Sequence, residues 1–316
     1  MENFIFTASV IMPLFTLLAL GYFLRHIGVF TDEYVVYTNK ISFKIFLPAL
    51  LFNGIVAQRE GLIYELDVLK FAVLSTLILV IFYMIVVPIV EKDKRKCGSI
   101  VQAMFRSMIL VFGAPIVYNI YGEPGLAPMA MVVFSLSLLN SVLSAMLFSF
   151  FGNSDGNVFS KIKKILIDIA VNPLIIASTI GILVIVFDIR IPFLIETTLN
   201  SLAAIAAPLA LLAIGGSFRF QRAFKNLKYL IPVVTVRMII QPLIMSAIAV
   251  FLGFQGSRLV VLLINFGSPV ATVTQAVAQE MGGDSELAGQ ITVLTTFISC
   301  FSIFVFIYGL AVLNLL

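Results

Sequence analysis

The fold class this sequence predicts is all-α integral membrane. Ten transmembrane helices are expected as two inverted five-helix repeats, the fourth and ninth of them broken. Three observations predict it: an apolar composition, apolar runs of spanning length, and a spacing of prolines and glycines that occurs twice. Of 316 residues 61% are hydrophobic, only 11% are charged and none is Trp, and the mean hydropathy is +1.12. Soluble domains carry about 25% charged and about 45–50% apolar residues, so the composition is that of a polytopic membrane protein and not of a soluble catalytic domain.

A bilayer core of about 30 Å takes about 20 apolar residues per helix. Ten such runs are present, near 5–24, 37–57, 66–90, 99–121, 126–150, 165–187, 197–218, 228–251, 258–280 and 286–315. The breaks are short and carry turn residues, as in Thr31-Asp32-Glu33, Glu123-Pro124-Gly125 and Gly282-Gly283-Asp284. The first run follows Glu2 and lacks a basic leader or a small-residue cleavage site, so it is read as a spanning helix and not a cleaved signal.

Basic residues in alternate loops set the orientation. One side collects Arg25, Lys92, Lys94, Arg95, Lys96, Lys161, Lys163, Lys164, Arg219, Arg222, Lys225 and Lys228, the other Arg59, Lys70, Arg190 and Arg258. The richer side is cytoplasmic, so both termini face outward across a plasma membrane. The formal charge of +4 therefore reports topology, and no nucleic-acid partner is expected. Cys97 and Cys300 have no CxxC spacing and only His26 as a company ligand, so neither a disulfide nor a metal site is expected. The Gly/Asn/Ser-rich loop 151–164 is read as a cytoplasmic linker between repeats 1–150 and 165–316.

The halves echo each other. Pro13 and Gly21 recur 160 positions on as Pro173 and Gly181, and Pro48 recurs as Pro208. At an offset of 154, Pro88 matches Pro242 and Pro115 matches Pro269; Tyr121-Gly122 then matches Met281-Gly282 at 160 again. Repeats of an odd number of spans must insert in opposite senses, which makes the repeat inverted. Phe112-Gly113-Ala114-Pro115 and Phe266-Gly267-Ser268-Pro269 are read as the two helix breaks, Gly113 and Gly267 allowing the turn that Pro115 and Pro269 impose. A broken helix frees backbone groups that hydrocarbon cannot satisfy, and its second half opens with N–H donors suited to a carboxylate. A plain proline kink is the other reading of each motif.

Polar residues near the breaks are the candidate substrate ligands: Asn119 at the first, Asn265, Ser268, Thr272 and Gln275 at the second. Arg106 and Arg237 add intramembrane charge, and such charges face a cavity or a partner. The surplus is cationic, so a small organic anion is the expected guest. For Arg106 and Lys44 the alternative is snorkelling to the cytoplasmic surface. Pro48 and Pro208 are expected to shape the neighbouring helices. No mid-membrane carboxylate appears, so coupling to an H+ or Na+ gradient, or uniport, stays open, and no cofactor is called for.

Leu47-Pro48-Ala49-Leu50-Leu51-Phe52-Asn53-Gly54 resembles the second-helix motif of the auxin efflux carrier family. So do Ser268-Pro269-Val270-Ala271, the stretch from Ala278 to Asp284, and Leu294-Thr295-Thr296-Phe297-Ile298-Ser299. The family includes PIN-type auxin carriers and bacterial putative malate permeases. The resemblance covers essentially the whole chain. It implies ten helices in two inverted repeats, a crossing of the broken fourth and ninth helices near the midplane, and elevator-like alternating access. The short central loop resembles bacterial members. Family members often carry Asn seven residues before the fourth-helix proline, where this chain has Met108. The function expected is a secondary transporter or uniporter of a small carboxylate such as malate or an auxin-like acid. An anion channel or a membrane sensor that binds without transport is the alternative class, and an enzyme is not expected. The expected partners are the anion, the bilayer and, in a homodimer, a second copy of the chain.

Overall fold

The computed structural model describes residues 2–57, 65–151, 167, 170–217 and 227–316. The expected linker beyond Phe151, Asp168, and the loop residues Arg59, Lys161, Lys163, Lys164, Arg219, Arg222 and Lys225 lie outside them. The described residues form twelve helices and no strand. In chain order these are α1 (Glu2–His26), α2 (Asp32–Ala57), α3 (Leu66–Val90), α4 (Lys94–Phe105), α5 (Ile109–Tyr121), α6 (Leu126–Phe151), α7 (Pro173–Val186), α8 (Phe193–Ser217), α9 (Leu227–Phe251), α10 (Gly256–Gly267), α11 (Val273–Glu280) and α12 (Ser285–Val312). Seven are long and apolar enough to cross a membrane, and α5, α7 and α10 are shorter apolar helices.

Local chemistry fixes the helix ends. Thr31, Asp93, Asn172 and Asp284 each accept a backbone N–H of the helix they open, which satisfies a donor that has no partner within the helix. Gly122 and Gly282 follow the ends of α5 and α11 with φ of +68° and +78°, a conformation that favours glycine. They are the two glycines that echo at 160. Five-residue π-turns interrupt α2 at Ser42–Phe46 and α9 at Val236–Ile240. Each ends two residues before a proline, Pro48 and Pro242, whose ring and missing N–H disturb the regular ladder.

Helix lengths repeat along the chain. α4 and α10 each have 12 residues and start 162 apart (256 − 94). The offset of 154 expected for this region is therefore replaced by one near 160. Pro88, near the end of α3, is not the positional equivalent of Pro242, and Pro115 is not that of Pro269.

Two groups of helices pack side by side. In one, α1 lies along α8, and α2 packs on both α7 and α8. Gly21 of α1 and Gly215 of α8 sit at their crossing, where an added Cβ would run into the carbonyl oxygens of Leu212 and Leu18 respectively. Such close approach gives lipid-embedded helices their packing contact, because the apolar driving force of water is absent there. In the other group, α3 packs on α4 and α6, α9 on α10, and α12 on α4, α9, α10 and α11. α5 touches α1 and α8, α12 touches α1, and α6 touches α2 and α7, so these three helices of the second group lie along the seam.

Candidate functional site

The broken helices meet where α4 ends and where α10 ends. Between α4 and α5 the chain leaves the helix only at Arg106, Ser107 and Met108; between α10 and α11 it does so over 268–272. These segments pair as a single antiparallel bridge between Ser107 and Val270. Met108 N donates to Pro269 O (2.8 Å) and Ala271 N to Arg106 O (3.1 Å). Val270 N donates to Thr295 Oγ1 (3.2 Å) and Ser107 Oγ to Asn265 Oδ1 (3.2 Å). Each break thus supplies the partners that the other lost, the condition for non-helical backbone inside a membrane.

The second break falls at the expected Gly267-Ser268-Pro269. The first does not fall at Gly113 and Pro115, which lie inside α5. One proline removes a single bond from a helix, and α5 accommodates it; the chain opens upstream because the facing extended segment 269–271 offers bonds there. Gly113 serves packing instead, since a Cβ would collide with Ile264 of α10. Gly267 lies against Pro242 of α9, 3.1 Å from an added Cβ. Met108, where the family often carries Asn, is the N-cap residue of α5 and makes no side-chain cap bond.

Arg237 is fully buried. It sits in the π-turn of α9 with its guanidinium among the carbonyls at the ends of two helices. Nη1 donates to Met104 O (3.2 Å) and Phe266 O (3.1 Å), Nη2 to Ser268 O (3.3 Å) and Asn265 O (3.5 Å). These belong to the negative C-terminal ends of α4 and α10, where a cation is favoured. The Gln241 amide, oriented with its oxygen accepting from Arg237 Nη1 (2.6 Å), donates to Met104 O (3.2 Å) and Tyr83 Oη (2.9 Å). The expected charge of Arg237 thus lies among backbone oxygens and the Gln241 amide.

The other expected ligands separate. Asn265 and Ser268 are buried in the crossing. Thr272 and Gln275 lie on the exposed face of α11, with the Gln275 amide over Gly289 of α12. Arg106 caps α4 and donates through Nη1 to Ser144 Oγ (3.1 Å) of α6, which also receives Gln102 Nε2 (3.2 Å). Asn119 is on α5 and donates to Val10 O of α1 (3.2 Å).

A cavity of about 300 Å³ opens where α5 meets α1, α2 and α8. Pro115 and Asn119 from α5 line it, as do Pro208 and Asn200 from α8, Asn53 from α2 and Pro13 from α1. Pro48 is instead buried in α2. A wider recess of about 390 Å³ shares Asn53, Glu123 and Asn200 and adds Arg190 and Glu196 at its rim. Across the cavity Asn53 Nδ2 donates to Asn200 Oδ1 (2.7 Å). Asn53, Glu123 and Asn200 were not among the expected polar residues, whereas Tyr118 lies beside the expected Asn119. Asn53 carried a signal, as the one amide in the second-helix motif; Asn200, in a polar run near a helix start, carried none without its partner.

Two crossed, broken helices beside a seam cavity, with seven candidate spans among the described residues, make this a multi-span membrane protein, and the transporters are the class to which its relatives belong. Comparison with known proteins places the chain within it. The Membrane transport protein family matches residues 6–307, and the chain belongs to this family, which is the auxin efflux carrier family of the motifs above. It is similar to an uncharacterized transporter of Methanocaldococcus jannaschii, 25% identical over 299 residues, covering 92% of this chain and 94% of that one. A second uncharacterized transporter, of Methanothermobacter thermautotrophicus, is 22% identical over 303 residues, covering 95% and 97%.

Proposed function

We propose that the protein is a secondary transporter or uniporter of a small organic anion, a carboxylate such as malate or an auxin-like acid, that works by elevator-type alternating access across the plasma membrane. The observation that carries this reading is the cavity where α5 meets α1, α2 and α8. Its volume suits a small molecule, and few polar groups line an otherwise apolar wall, as in small-molecule sites generally. Asn53, Tyr118, Asn119 and Asn200 offer donors to a carboxylate. The lining runs along α5 from Ala114 and Pro115 to Tyr118 and Asn119 in its last turn, with Glu123 just beyond.

The recurrence of a 12-residue helix at an offset of 162 supports two five-span repeats, and an odd number of spans supports their inversion. The seam between two packed groups supports a sliding motion of one past the other. The basic-residue count puts Glu123, Arg190 and Glu196 at the outer face, so the cavity opens outward. α11, with Thr272 and Gln275 exposed, is its counterpart on the cytoplasmic side. Uptake of radiolabelled small carboxylates into proteoliposomes tests the reading. Asn53→Ala and Asn119→Ala are expected to lower uptake by about tenfold, the loss of one or two polar contacts, with the melting temperature held. Unchanged uptake in both variants would sink it.

A further inference from the structure

We propose that Arg237 is the built-in cation of the crossing, occupying with its guanidinium a cluster of carbonyls that would otherwise bind an alkali ion. The crossing then takes no Na+, and transport, on the carrier reading above, does not depend on a Na+ gradient. A broken membrane helix leaves carbonyl oxygens at its C-terminal end, and these are the groups with which carriers hold a coupling cation. Here two such ends converge. Met104 O closes α4; Asn265 O, Phe266 O and Ser268 O close α10, and all four accept from Arg237 Nη1 or Nη2 within 3.5 Å. The Gln241 oxygen is a fifth acceptor at 2.6 Å.

The site has the composition of an alkali-ion site: neutral oxygens, a full burial, and no carboxylate among the groups that touch the guanidinium. A positive charge there is satisfied once. A second cation would meet the first at contact distance in a low-dielectric interior, where like charges repel strongly. The side chain enters from α9 through the π-turn Val236–Ile240, so the cation is tethered and cannot leave with a substrate. Nε of the same guanidinium is buried without a hydrogen-bond partner. The side chain is therefore placed by what Nη1 and Nη2 reach, the oxygens of the two helix ends.

The test measures cation binding on the purified full chain and needs no substrate. Melting temperatures are taken in NaCl, KCl and choline chloride at equal ionic strength. Wild type is expected to melt at the same temperature in all three, and Arg237→Met to melt lower in choline and to regain part of the loss, saturably, with Na+ or K+. A saturable, Na+-specific rise in the wild type overturns the proposal. So does a folded Arg237→Met whose melting temperature ignores the cation. If Arg237→Met does not fold, equilibrium binding of radioactive Na+ to wild type decides: none supports the proposal, and saturable binding overturns it. These outcomes are independent of whether any anion is carried, so they separate from a failure of the transport reading.

Discussion

Arginine occurs twice in the apolar interior at the crossing, and the surroundings give the two side chains different roles. Arg237 is encircled by carbonyl oxygens, whereas Arg106 has a serine hydroxyl as its bonded partner and remains half-buried. Among the described residues the hydrogen bond of the Arg106 guanidinium goes to that hydroxyl and not to backbone oxygens. A third charged contact lies at the mouth of α3, where Glu65 is almost fully buried and pairs with Arg258 at 3.3 Å. Burial pushes the Glu65 carboxyl above its ordinary value, and Arg258 offsets this only in part. A raised carboxylate favours the protonated native state. Its stabilising contribution is complete below the unfolded value near 4.5 and is lost as pH rises through the folded value. Glu65→Gln, neutral at every pH and leaving a partly exposed Arg258 in reach of water and of the amide oxygen, is thus expected to be at least as stable as wild type at neutral pH. The advantage should vanish in acid. Melting temperatures of both proteins across pH 4 to 8 would show this, and a Gln variant that melts well below wild type at neutral pH would refute it.

At the scale of elements, the helices were legible because each apolar run is long enough to span and ends in a recognisable cap or glycine. The ninth helix break was legible too, since Gly267-Ser268-Pro269 is a local instruction. Arg106-Ser107-Met108 contains neither glycine nor proline, and it opens because residues 269–271 supply its backbone partners; that is a tertiary effect, invisible along the chain. Half of the cavity shares this fate. Asn200 acquires meaning only beside Asn53, 147 positions away. Glycines show the same division. Gly21 was noticed as part of a repeat, but its use, the crossing of α1 with α8, depends on Leu212 and on Gly215 facing Leu18. Gly21→Ala would drive a methyl group into a backbone oxygen that has no rotamer to yield. The expected loss is about 1–3 kcal/mol, the usual effect of overpacking. Gly309→Ala, with open space around it, should be neutral or slightly stabilising because alanine favours helix. Thermal denaturation in detergent compares the two, and equal melting temperatures would mean that the α1–α8 crossing can relax.

For the whole molecule, the decisive relation is between the helix group α1, α2, α7, α8 and the group that carries the crossing. α5 touches both, and the cavity lies between α5 and the first group. If transport slides one group past the other, a link across the cavity must stop it, while a link within one group must not. Tyr118 of α5 and Asn200 of α8 line opposite sides, so Tyr118→Cys with Asn200→Cys places the link across the seam. Pro13 of α1 and Ala204 of α8 line the same cavity from within one group, so Pro13→Cys with Ala204→Cys is the matched control. Native thiols interfere little, since Cys97 is buried and Cys300 half-buried. A cleavable bifunctional thiol reagent is expected to abolish uptake by the first pair and reduction to restore it, whereas the second pair, linked to the same extent, should retain most of its activity. A cross-linked seam pair that still transports at the wild-type rate would show that α5 and α8 do not move relative to each other. The site would then have to empty through a local gate and not through an elevator.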